Sequence, residues 1–352
     1  QFVAQGNDCT VIAPVNIMGK YLFSKPYGSY HEKKSLSCGK SIDVYRPRFY
    51  GRNIKIGGVS LNAWAPMVAF EFAINNISEK FDIIYCHFFR MAVIAFRYAR
   101  KHDIPLFVAT GESVIPRIKM PFKHFKIKDF ADYLSGVICV SSKNLKEAIR
   151  LGYTTKEKCK IFPNGADLSL FKPLNRKQCR MKLELTDNDF AVICIGNFVE
   201  RKGQNRIIKA VALLNNPNIK IILIGRGEGV LKSHSIIFKG FVQHQRVPEY
   251  LNAADVFVLP TRAEGCCNSI IEAMACGLPI ISSNLDFNFD ILNSNNAILI
   301  NPDDIKSISE AIHFLYSNEQ ERSRLALESI ATAKHLSIEE RAKSIINYIR
   351  KQ

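Results

Sequence analysis

Short apolar runs alternate with amphipathic segments along almost the whole chain. Some runs, such as residues 221–224 and 256–259, are apolar without a break, which is typical of strands buried on both faces of a sheet. The apolar runs predict strands at residues 10–14, 42–45, 82–86, 106–110, 136–140, 160–163, 191–196, 219–225, 236–239, 255–260, 278–282 and 297–300. The amphipathic segments predict helices, for example at residues 91–101, 142–151, 204–214 and 308–317.

This alternation predicts an α/β fold with doubly wound parallel sheets. A chain of 352 residues exceeds the usual size of one domain and suits two. The turn-rich stretch Phe-Pro-Asn-Gly-Ala-Asp at residues 162–167 follows a predicted strand and marks the expected boundary. We therefore expect domains at residues 1–162 and 163–335. A C-terminal helix at residues 336–352 should open with the capping box Ser337-x-x-Glu340 and pack back toward the first domain.

The beginning of the chain looks like the end of a helix. Residues 1–6 end in Gly6, a good helix C-cap, and lead into the first predicted strand without an initiator methionine. We expect a strand and the start of this helix to precede the given sequence. For the same reason, the presence of a signal peptide cannot be judged from it.

Composition is that of a globular protein, with 47% hydrophobic and 23% charged residues. No stretch approaches 18 uncharged apolar residues, so no membrane span is predicted. The ten cysteines contain no C-x-x-C pair, and several lie in apolar runs. This favours reduced core cysteines of a cytoplasmic protein over a disulfide framework or a zinc site.

The net charge of +16 is unevenly distributed. Residues 1–160 contain 25 Lys and Arg against 12 Asp and Glu, a balance of +13, and the remaining residues have a balance of only +3. A basic first half indicates an anionic partner, which could be phosphates, a membrane surface or nucleic acid. A solvated lysine-rich surface is the alternative.

Residues 254–279 contain the most informative chemistry. A buried strand ends at Pro260, a loop carries Glu264, and a helix is predicted to begin near Ser269 with a capping box, Ser269-x-x-Glu272. Glu272 could simply cap its own helix. Alternatively, the loop and helix N-terminus could bind an anion at the carboxyl edge of a parallel sheet. Backbone N–H groups would then face a diphosphate, namely those of Asn268, Ser269 and Ile270.

Glu264 and Glu272 form an E-x7-E motif, and its surroundings, A-D-V-F-V-L-P-x-R-x-E-G followed by E-A-M-A-C-G-L-P, resemble glycosyltransferase family 4. Similar segments are G-N-F-V-E-R-K-G at 196–203, L-I-G-R-G at 223–227, F-K-G-F-V at 238–242 and F-P-N-G-A-D at 162–167. The resemblance is strong over residues 130–320 and weak before them.

The resemblance implies a retaining glycosyltransferase of the GT-B fold, with two Rossmann-like domains facing a cleft. Such an enzyme would transfer a hexose-type sugar from a nucleoside-diphosphate sugar, held by the second domain, to a glycan or lipid-linked saccharide held by the first. The expected context is surface polysaccharide synthesis at the cytoplasmic face of the membrane.

The resemblance also implies roles for individual residues. Arg201 and Lys202 would neutralise the leaving diphosphate, which otherwise needs a metal. Glu264 would hold donor-sugar hydroxyls and Glu272 the ribose hydroxyls, so loss of Glu264 should largely spare nucleotide binding. The backbone at Val242 would hold the base.

One departure from the family lies at Gly196-Asn197, where the family usually has Gly-Arg. Asn197 would then bond the phosphate as a neutral group, or Arg201 would compensate. No cofactor and no metal are expected: Asp187-Asn-Asp189 has the spacing of a metal-binding D-x-D motif but reads as a turn before a strand.

In the first half, His87 ends a predicted strand near the expected reaction centre and could be catalytic or purely structural. The following strand usually leads into a histidine that touches the donor sugar. Here Gly111-Glu112-Ser113 occupies that place, so Glu112 is predicted to take an acid/base or orienting role.

The segment from Arg117 to Lys128 interleaves cations with Ile118, Met120, Phe122, Phe125 and Ile127. This pattern suits an anionic membrane surface, although nucleic acid or an ordinary solvated loop would fit the charges too. The family context favours a peripheral membrane contact and no nucleic acid.

Three other functions remain open: a non-catalytic GT-B partner with a degenerate site, a GT-B nucleotide-sugar epimerase or phosphorylase, and a nucleic-acid-binding module.

Overall fold

The computed structural model describes residues 1–17, 28–51, 55, 56, 59–118, 120, 126–227 and 232–352, and of residues 55, 56 and 59–63 the backbone alone. Contacts divide the chain into two compact units. Unit 1 consists of Gln1–Val140, Asn144–Phe162 and Ala342–Gln352. Unit 2 consists of Ser141–Lys143 and Pro163–Arg341.

The strands within the described residues are β1 (Thr10–Ile12), β2 (Val15–Asn16), β3 (His31–Ser35), β4 (Ser41–Tyr45), β5 (Arg48–Phe49), β6 (Lys55–Ile56), β7 (Val59–Ser60), β8 (Ile84–His87), β9 (Leu106–Thr110), β10 (Gly136–Cys139), β11 (Cys159–Ile161), β12 (Phe190–Ile195), β13 (Ile219–Ile224), β14 (Ile236–Gly240), β15 (Val256–Leu259), β16 (Ile280–Ser283) and β17 (Ala297–Ile300).

The α-helices in the same part of the chain are α1 (Leu61–Asn75), α2 (Phe89–His102), α3 (Ile127–Tyr133), α4 (Ser142–Arg150), α5 (Arg176–Met181), α6 (Gln204–Leu214), α7 (Val247–Ala253), α8 (Asn268–Ala275), α9 (Ile305–Ser317), α10 (Glu319–Lys334) and α11 (Ile338–Ile349). None of these helices is both long enough and apolar enough to cross a bilayer.

The main sheet of unit 1 is parallel, with the strand order β11-β10-β9-β8. Successive residues of a strand point to opposite faces of the sheet. Accordingly, Leu106 and Val108 of β9 join a core cluster with α2, whereas Phe107 and Ala109 pack with Ile345 of α11. Both faces of β9 are therefore covered, which explains its unbroken apolar sequence.

A second, small sheet of unit 1 has the order β1-β4-β3, in which β3 runs antiparallel to β4. Strand β3, His-Glu-Lys-Lys-Ser, is not among the predicted strands, because its residues are mostly exposed and show no apolar run. An edge strand of this kind is stabilised by backbone pairing and protected by its charges.

Unit 2 is built on one parallel sheet with the order β14-β13-β12-β15-β16-β17. Its central strands are almost fully buried, as their apolar sequences predict. The predicted α/β fold with parallel sheets is confirmed, and each of the twelve predicted strands is present with its ends shifted by at most two residues.

Several predicted termini are also confirmed. Residues 3–5 form a short 3-10 turn that ends at Gly6 with φ 84°. At the start of α11, Ser337 Oγ accepts a hydrogen bond from the Glu340 amide at 3.1 Å. The ten cysteines are free thiols.

Candidate active site

The carboxyl ends of the unit 2 strands bring most of the predicted site residues to one edge of the sheet. Gly196 directly follows β12, Val242 lies two residues after β14, and Glu264 lies in the loop between β15 and α8. Parallel strands end at the same edge, and ligands bind there in open α/β sheets. The edge therefore has the position expected of a donor site.

Glu264 connects several side chains at this edge. Its side chain is only 12% exposed, and a single oxygen, Oε1, accepts hydrogen bonds from Arg201 Nη1 and Lys202 Nζ, both at 2.7 Å. The buried hydroxyl of Thr261 donates to the same oxygen at 2.8 Å. A buried carboxylate is thus fully compensated, and it fixes the positions of two cations.

Lys202 is the more enclosed of the two cations, with 13% of its side chain exposed against 37% for Arg201. Its stem packs against Gly196, where an added Cβ would lie 3.3 Å from the lysine carbons. Burial opposes the charge of the ammonium, but the facing Cys267 and Glu264 outweigh it and raise the pKa of Lys202. Lys202 is therefore a charged group held in a sheltered position.

Backbone geometry forces the cations toward Glu264. The 3-10 turn Glu200–Lys202 ends at Gly203, whose φ is 83° and whose Cβ would lie 2.6 Å from the Pro260 carbonyl oxygen. No other residue fits there without a shift of the backbone. Arg201 also donates to the carbonyl of Ala263, and its own carbonyl accepts from the Arg262 amide at 3.0 Å, so the two loops are joined.

The start of α8 differs from the prediction. The helix begins at Asn268 with Cys267 in the N-cap position, and the capping box at Ser269 and Glu272 is wrong. The Ser269 hydroxyl instead donates to the carbonyl of Ile195 at 3.2 Å and lies 3.2 Å from Cys267 Sγ. Ser269 sits in the first turn of the helix, and its side chain faces the end of β12.

The backbone groups of this first turn are only partly available to a ligand. The Ile270 amide, also predicted to face a diphosphate, donates to the Cys267 carbonyl at 3.2 Å. The amides of Asn268 and Ser269 belong to the first turn, where no intrahelical acceptor exists. These two amides have no helical acceptor to compete with an anion, and the contact of all three with a diphosphate stays a prediction.

Glu272 has a partner that the sequence analysis did not identify. Its Oε1 lies 3.1 Å from Nε2 of His244, in the short 3-10 turn that follows Val242. The sequence feature that could have indicated this partner is a histidine shortly after the end of a predicted strand. Val242 itself is buried.

The remaining predicted residue of this edge, Asn197, is exposed. The carbonyls of Gly196 and Asn197 accept hydrogen bonds from Gln204 Nε2, at 3.1 Å each, which fixes the backbone after β12. Nearby, the guanidinium of Arg226 lies 3.9 Å from the ring centroid of Phe241, a cation–π contact that the sequence analysis also missed.

The two predicted residues of unit 1 lie at the carboxyl edge of its own sheet. His87 ends β8 and is exposed. Glu112 follows β9, and its Oε2 accepts from the Thr110 hydroxyl at 2.5 Å and the Gly111 amide at 3.0 Å. Its Oε1 is buried without a hydrogen-bond partner. Phe88, which directly follows β8, has a φ of 72°. This backbone conformation is energetically unfavourable for a residue that has a side chain.

Two other sequence features have a clear place. Asp189 Oδ2 accepts from the amide and hydroxyl of Thr186, at 2.8 and 2.7 Å, so the predicted turn at residues 186–189 is confirmed.

In the basic segment, Ile118, Met120 and Ile127 pack against the unit 1 core. Its other predicted membrane contacts, Lys119 and residues 121–125, lie outside the described residues.

Comparison with known proteins agrees with this architecture. The family model "Glycosyltransferase Family 4" matches residues 1–170, and "Glycosyl transferases group 1" matches residues 175–331. The two models together account for nearly the whole chain.

Relatives include a UDP-Gal:alpha-D-GlcNAc-diphosphoundecaprenol alpha-1,3-galactosyltransferase of Escherichia coli, 28% identical over 66% of this chain and 66% of its own length. The chain thus spans about two thirds of that relative. A putative teichuronic acid biosynthesis glycosyltransferase of Bacillus subtilis, TuaC, is 26% identical over 90% of this chain and 82% of its own length.

Among solved structures, sucrose-phosphate synthase from Thermosynechococcus elongatus superposes with a TM-score of 0.76 at 17% identity, covering 99% of this chain and 90% of that one. HepE of Anabaena, in complex with UDP and glucose, gives a TM-score of 0.69 at 20% identity, with 90% and 87% covered. At these identities the similarity shows the fold.

Proposed function

Since the chain belongs to glycosyltransferase family 4 and has the GT-B fold, we propose that it transfers a hexose-type sugar, with retention, from a nucleoside-diphosphate sugar to a glycan or lipid-linked saccharide. Surface polysaccharide synthesis is the proposed context, because relatives include enzymes of teichuronic acid, capsule and lipopolysaccharide synthesis. The observation that supports the reaction best is the buried carboxylate of Glu264, which carries two cations at the carboxyl edge of the sheet.

The two cations are proposed to bind the donor diphosphate. Lys202 has three donor hydrogens, of which Glu264 takes one, and Arg201 has five, so both keep capacity for phosphate oxygens. Their charges are already fixed in position, so they can stabilise the charge that develops on the leaving diphosphate without reorganising. Such a site supplies the role that a metal has in other transferases. We therefore propose a reaction that is independent of metals and of any cofactor.

Glu264 and Glu272 are proposed to hold the donor sugar and the ribose, respectively. Glu264 Oε2 has no hydrogen-bond partner within the part of the chain that the structure describes, so it can accept a sugar hydroxyl while Oε1 holds the cations. Because one carboxylate then serves the sugar and the phosphate cations together, we expect the two kinds of donor contact to be coupled and not separable.

In unit 1, Glu112 is proposed to orient or deprotonate the acceptor, with His87 at the neighbouring strand end as a second polar group. The carboxylate of Glu112 is fixed through one oxygen and has the other unpaired. A buried acceptor oxygen without a donor costs free energy until a hydroxyl or amine pairs with it. Glu112 Oε1 is therefore well suited to accept a hydrogen bond from a substrate hydroxyl.

The donor is testable by a thermal-shift screen of the whole chain against UDP- and GDP-sugars, since relatives use UDP-galactose and GDP-mannose. A ligand at one hundred times its dissociation constant raises the free energy of unfolding by about 2.7 kcal/mol. With the sugar identified, NMR of the product's anomeric proton tests retention, and activity in the presence of a chelator tests metal independence. An inverted product, or loss of activity that added metal restores, would refute those parts of the proposal.

We further propose that the segment from Arg117 to Lys128 brings the enzyme to an anionic membrane surface. Each Lys or Arg of the segment would contribute about 1 kcal/mol of binding free energy when it lies near such a surface. Ile118, Met120 and Ile127 pack on the unit 1 core, so these three apolar side chains are not expected to insert into the membrane. Sedimentation with anionic vesicles should therefore fall when Lys119, Lys123, Lys126 and Lys128 become Glu. Equal sedimentation of both proteins, or stronger binding to a polynucleotide than to vesicles, would exclude it.

A further inference from the structure

We propose that His244 is a positioning residue, which orients the carboxylate of Glu272 toward the ribose hydroxyls of the donor nucleotide. The inference rests on the proposed function, since it takes Glu272 as the ribose ligand. It adds a residue that belongs to none of the sequence motifs used above.

The contact between the two side chains leaves half of the carboxylate available. His244 Nε2 lies 3.1 Å from Oε1 of Glu272, and the glutamate side chain is 14% exposed. Within the part of the chain that the structure describes, Glu272 Oε2 has no further hydrogen-bond partner. A histidine N–H on one oxygen thus fixes the plane of the carboxylate, and the other oxygen can accept from a hydroxyl.

His244 is itself held in place on its other side. Its ring meets the ring of Phe171 edge to face, with 5.1 Å between centroids. Asp167 is a second acidic neighbour: the hydrogen bond from Ser169 lowers the pKa of Asp167 first, and the nearby charge of His244 contributes further. Asp167 and Glu272 are thus two carboxyl groups that lie beside His244.

The side chain of His244 is 60% exposed, so it contributes little to the core. Removal of a donor from an exposed histidine should leave the fold intact. Without this donor, the Glu272 side chain should adopt several rotamers. Ribose binding then has to restrict it to one rotamer, and this loss of conformational entropy weakens binding. The predicted consequence is weaker donor binding with an unchanged chemical step.

The experiment measures binding by calorimetry and uses UDP, GDP and their 2′-deoxy and 3′-deoxy forms as probes. For His244→Leu we expect about ten-fold weaker binding of the ribonucleotide that the wild type binds, the size typical of a lost hydrogen bond to a charged group. The deoxy form that lacks the hydroxyl bound by Glu272 should lose no more than about two-fold, because that contact is already missing. His244→Gln keeps an N–H donor and should recover most of the affinity.

Steady-state kinetics give an independent readout. His244→Leu should raise KM for the donor sugar by about ten-fold and leave kcat unchanged, which is typical of a lost binding contact. The matched control is His313→Leu, since His313 lies in α9 and stacks on Tyr316. It should change neither constant.

The outcomes separate the inference from the proposed function. If Glu272→Gln weakens binding of the ribonucleotide much more than binding of its deoxy form, but His244→Leu does not, His244 has no positioning role. Equal losses for ribonucleotide and deoxynucleotide, together with a lower Tm, would likewise reduce His244 to a structural residue. If Glu272→Gln weakens binding of the ribonucleotide and of its deoxy form equally, or if the wild type binds none of the nucleotides, the assignment of the ribose site fails and the inference fails with it.

Discussion

At the edge of the unit 2 sheet, Glu264 has three donors on one oxygen, whereas at the edge of the unit 1 sheet Glu112 keeps one buried oxygen unpaired. Both carboxylates follow a buried parallel strand, so their positions in the fold are equivalent. Their states differ. The charge of Glu264 is balanced by two cations on Oε1, whereas Glu112 is held by a hydroxyl and an amide, and its buried Oε1 has no partner.

We propose that this difference reflects separate roles of the two units, with the donor at one edge and the acceptor at the other. A diphosphate donor has large, fixed charges, so its site gains from cations that are held in position beforehand. An acceptor hydroxyl is small and neutral, and an orienting or basic carboxylate must have an oxygen available for it. Variants at the two edges should therefore affect different constants.

The largest effect is expected from Glu264→Ala. It leaves the enclosed Lys202 and Arg201 without their shared carboxylate, and an uncompensated buried charge costs about 3–5 kcal/mol. We expect kcat/KM to fall by a factor on the order of 10³, with nucleotide binding also weakened. The control is Glu249→Ala, which breaks a surface ion pair with Lys182 and should change little. Wild-type affinity for the nucleotide in Glu264→Ala would show that the contacts are separable after all.

A smaller effect is expected from single cation variants, and they should rank by burial. Lys202→Met should weaken nucleoside diphosphate binding by about 100-fold and Arg201→Met by about ten-fold, because a solvent-screened charge contributes less. Calorimetry with the diphosphate and with the bare nucleoside measures this, and the nucleoside should be insensitive to both changes. Arg262→Met, at an exposed neighbour of the same loop, is the control. The reverse ranking would contradict the role given to burial.

Glu112→Gln tests the other edge. Glutamine can still accept from Thr110 and Gly111, but it replaces the unpaired oxygen by an NH₂ group. We expect kcat to fall by about 10² with the donor KM unchanged, since loss of acid/base help costs that much or more. Glu157→Gln, at an exposed glutamate of the same unit, should have no effect. A raised donor KM in Glu112→Gln would show that the edges do not divide the work as proposed.

The smallest effect concerns thiol reactivity. Burial raises the pKa of Cys194, Cys266 and Cys276 in unit 2 to about 12, so these thiols stay protonated near neutral pH and ionise only as the pH approaches that value. In unit 1, Cys38 is exposed, and a hydrogen bond from Cys139 lowers the pKa of Cys159. Alkylation at pH 7 followed by mass spectrometry should therefore label Cys38 and Cys159 first. Early labelling of a unit 2 cysteine would mean that its sheet edge opens in solution.

Most of the secondary structure could be predicted because it depends on local pattern. Helix α6 was predicted with its true ends, residues 204–214, and β9 with both ends correct. The strands that were not predicted are β2, β3, β5, β6 and β7, and the longest of them, β3, has a charged sequence whose strand conformation depends on pairing with β4. Periodicity cannot reveal a strand of this kind, since its side chains are not sorted by burial.

The sequence by itself determined the order of strands and helices and the family motifs, and with them the residues found at each sheet edge. Carboxyl ends of parallel strands meet, so a motif after each strand is enough to predict a common location. Tertiary structure alone decided which atoms meet there. Arg201 and Glu264 are 63 residues apart, and His244 and Glu272 are 28 apart. Their pairing depends on the lateral order of the strands and on the paths of the loops. Tertiary structure also decided that Cys267, and not Ser269, is the N-cap of α8. The Ser269 hydroxyl donates to a carbonyl at the end of β12, and local sequence does not reveal that this acceptor is near.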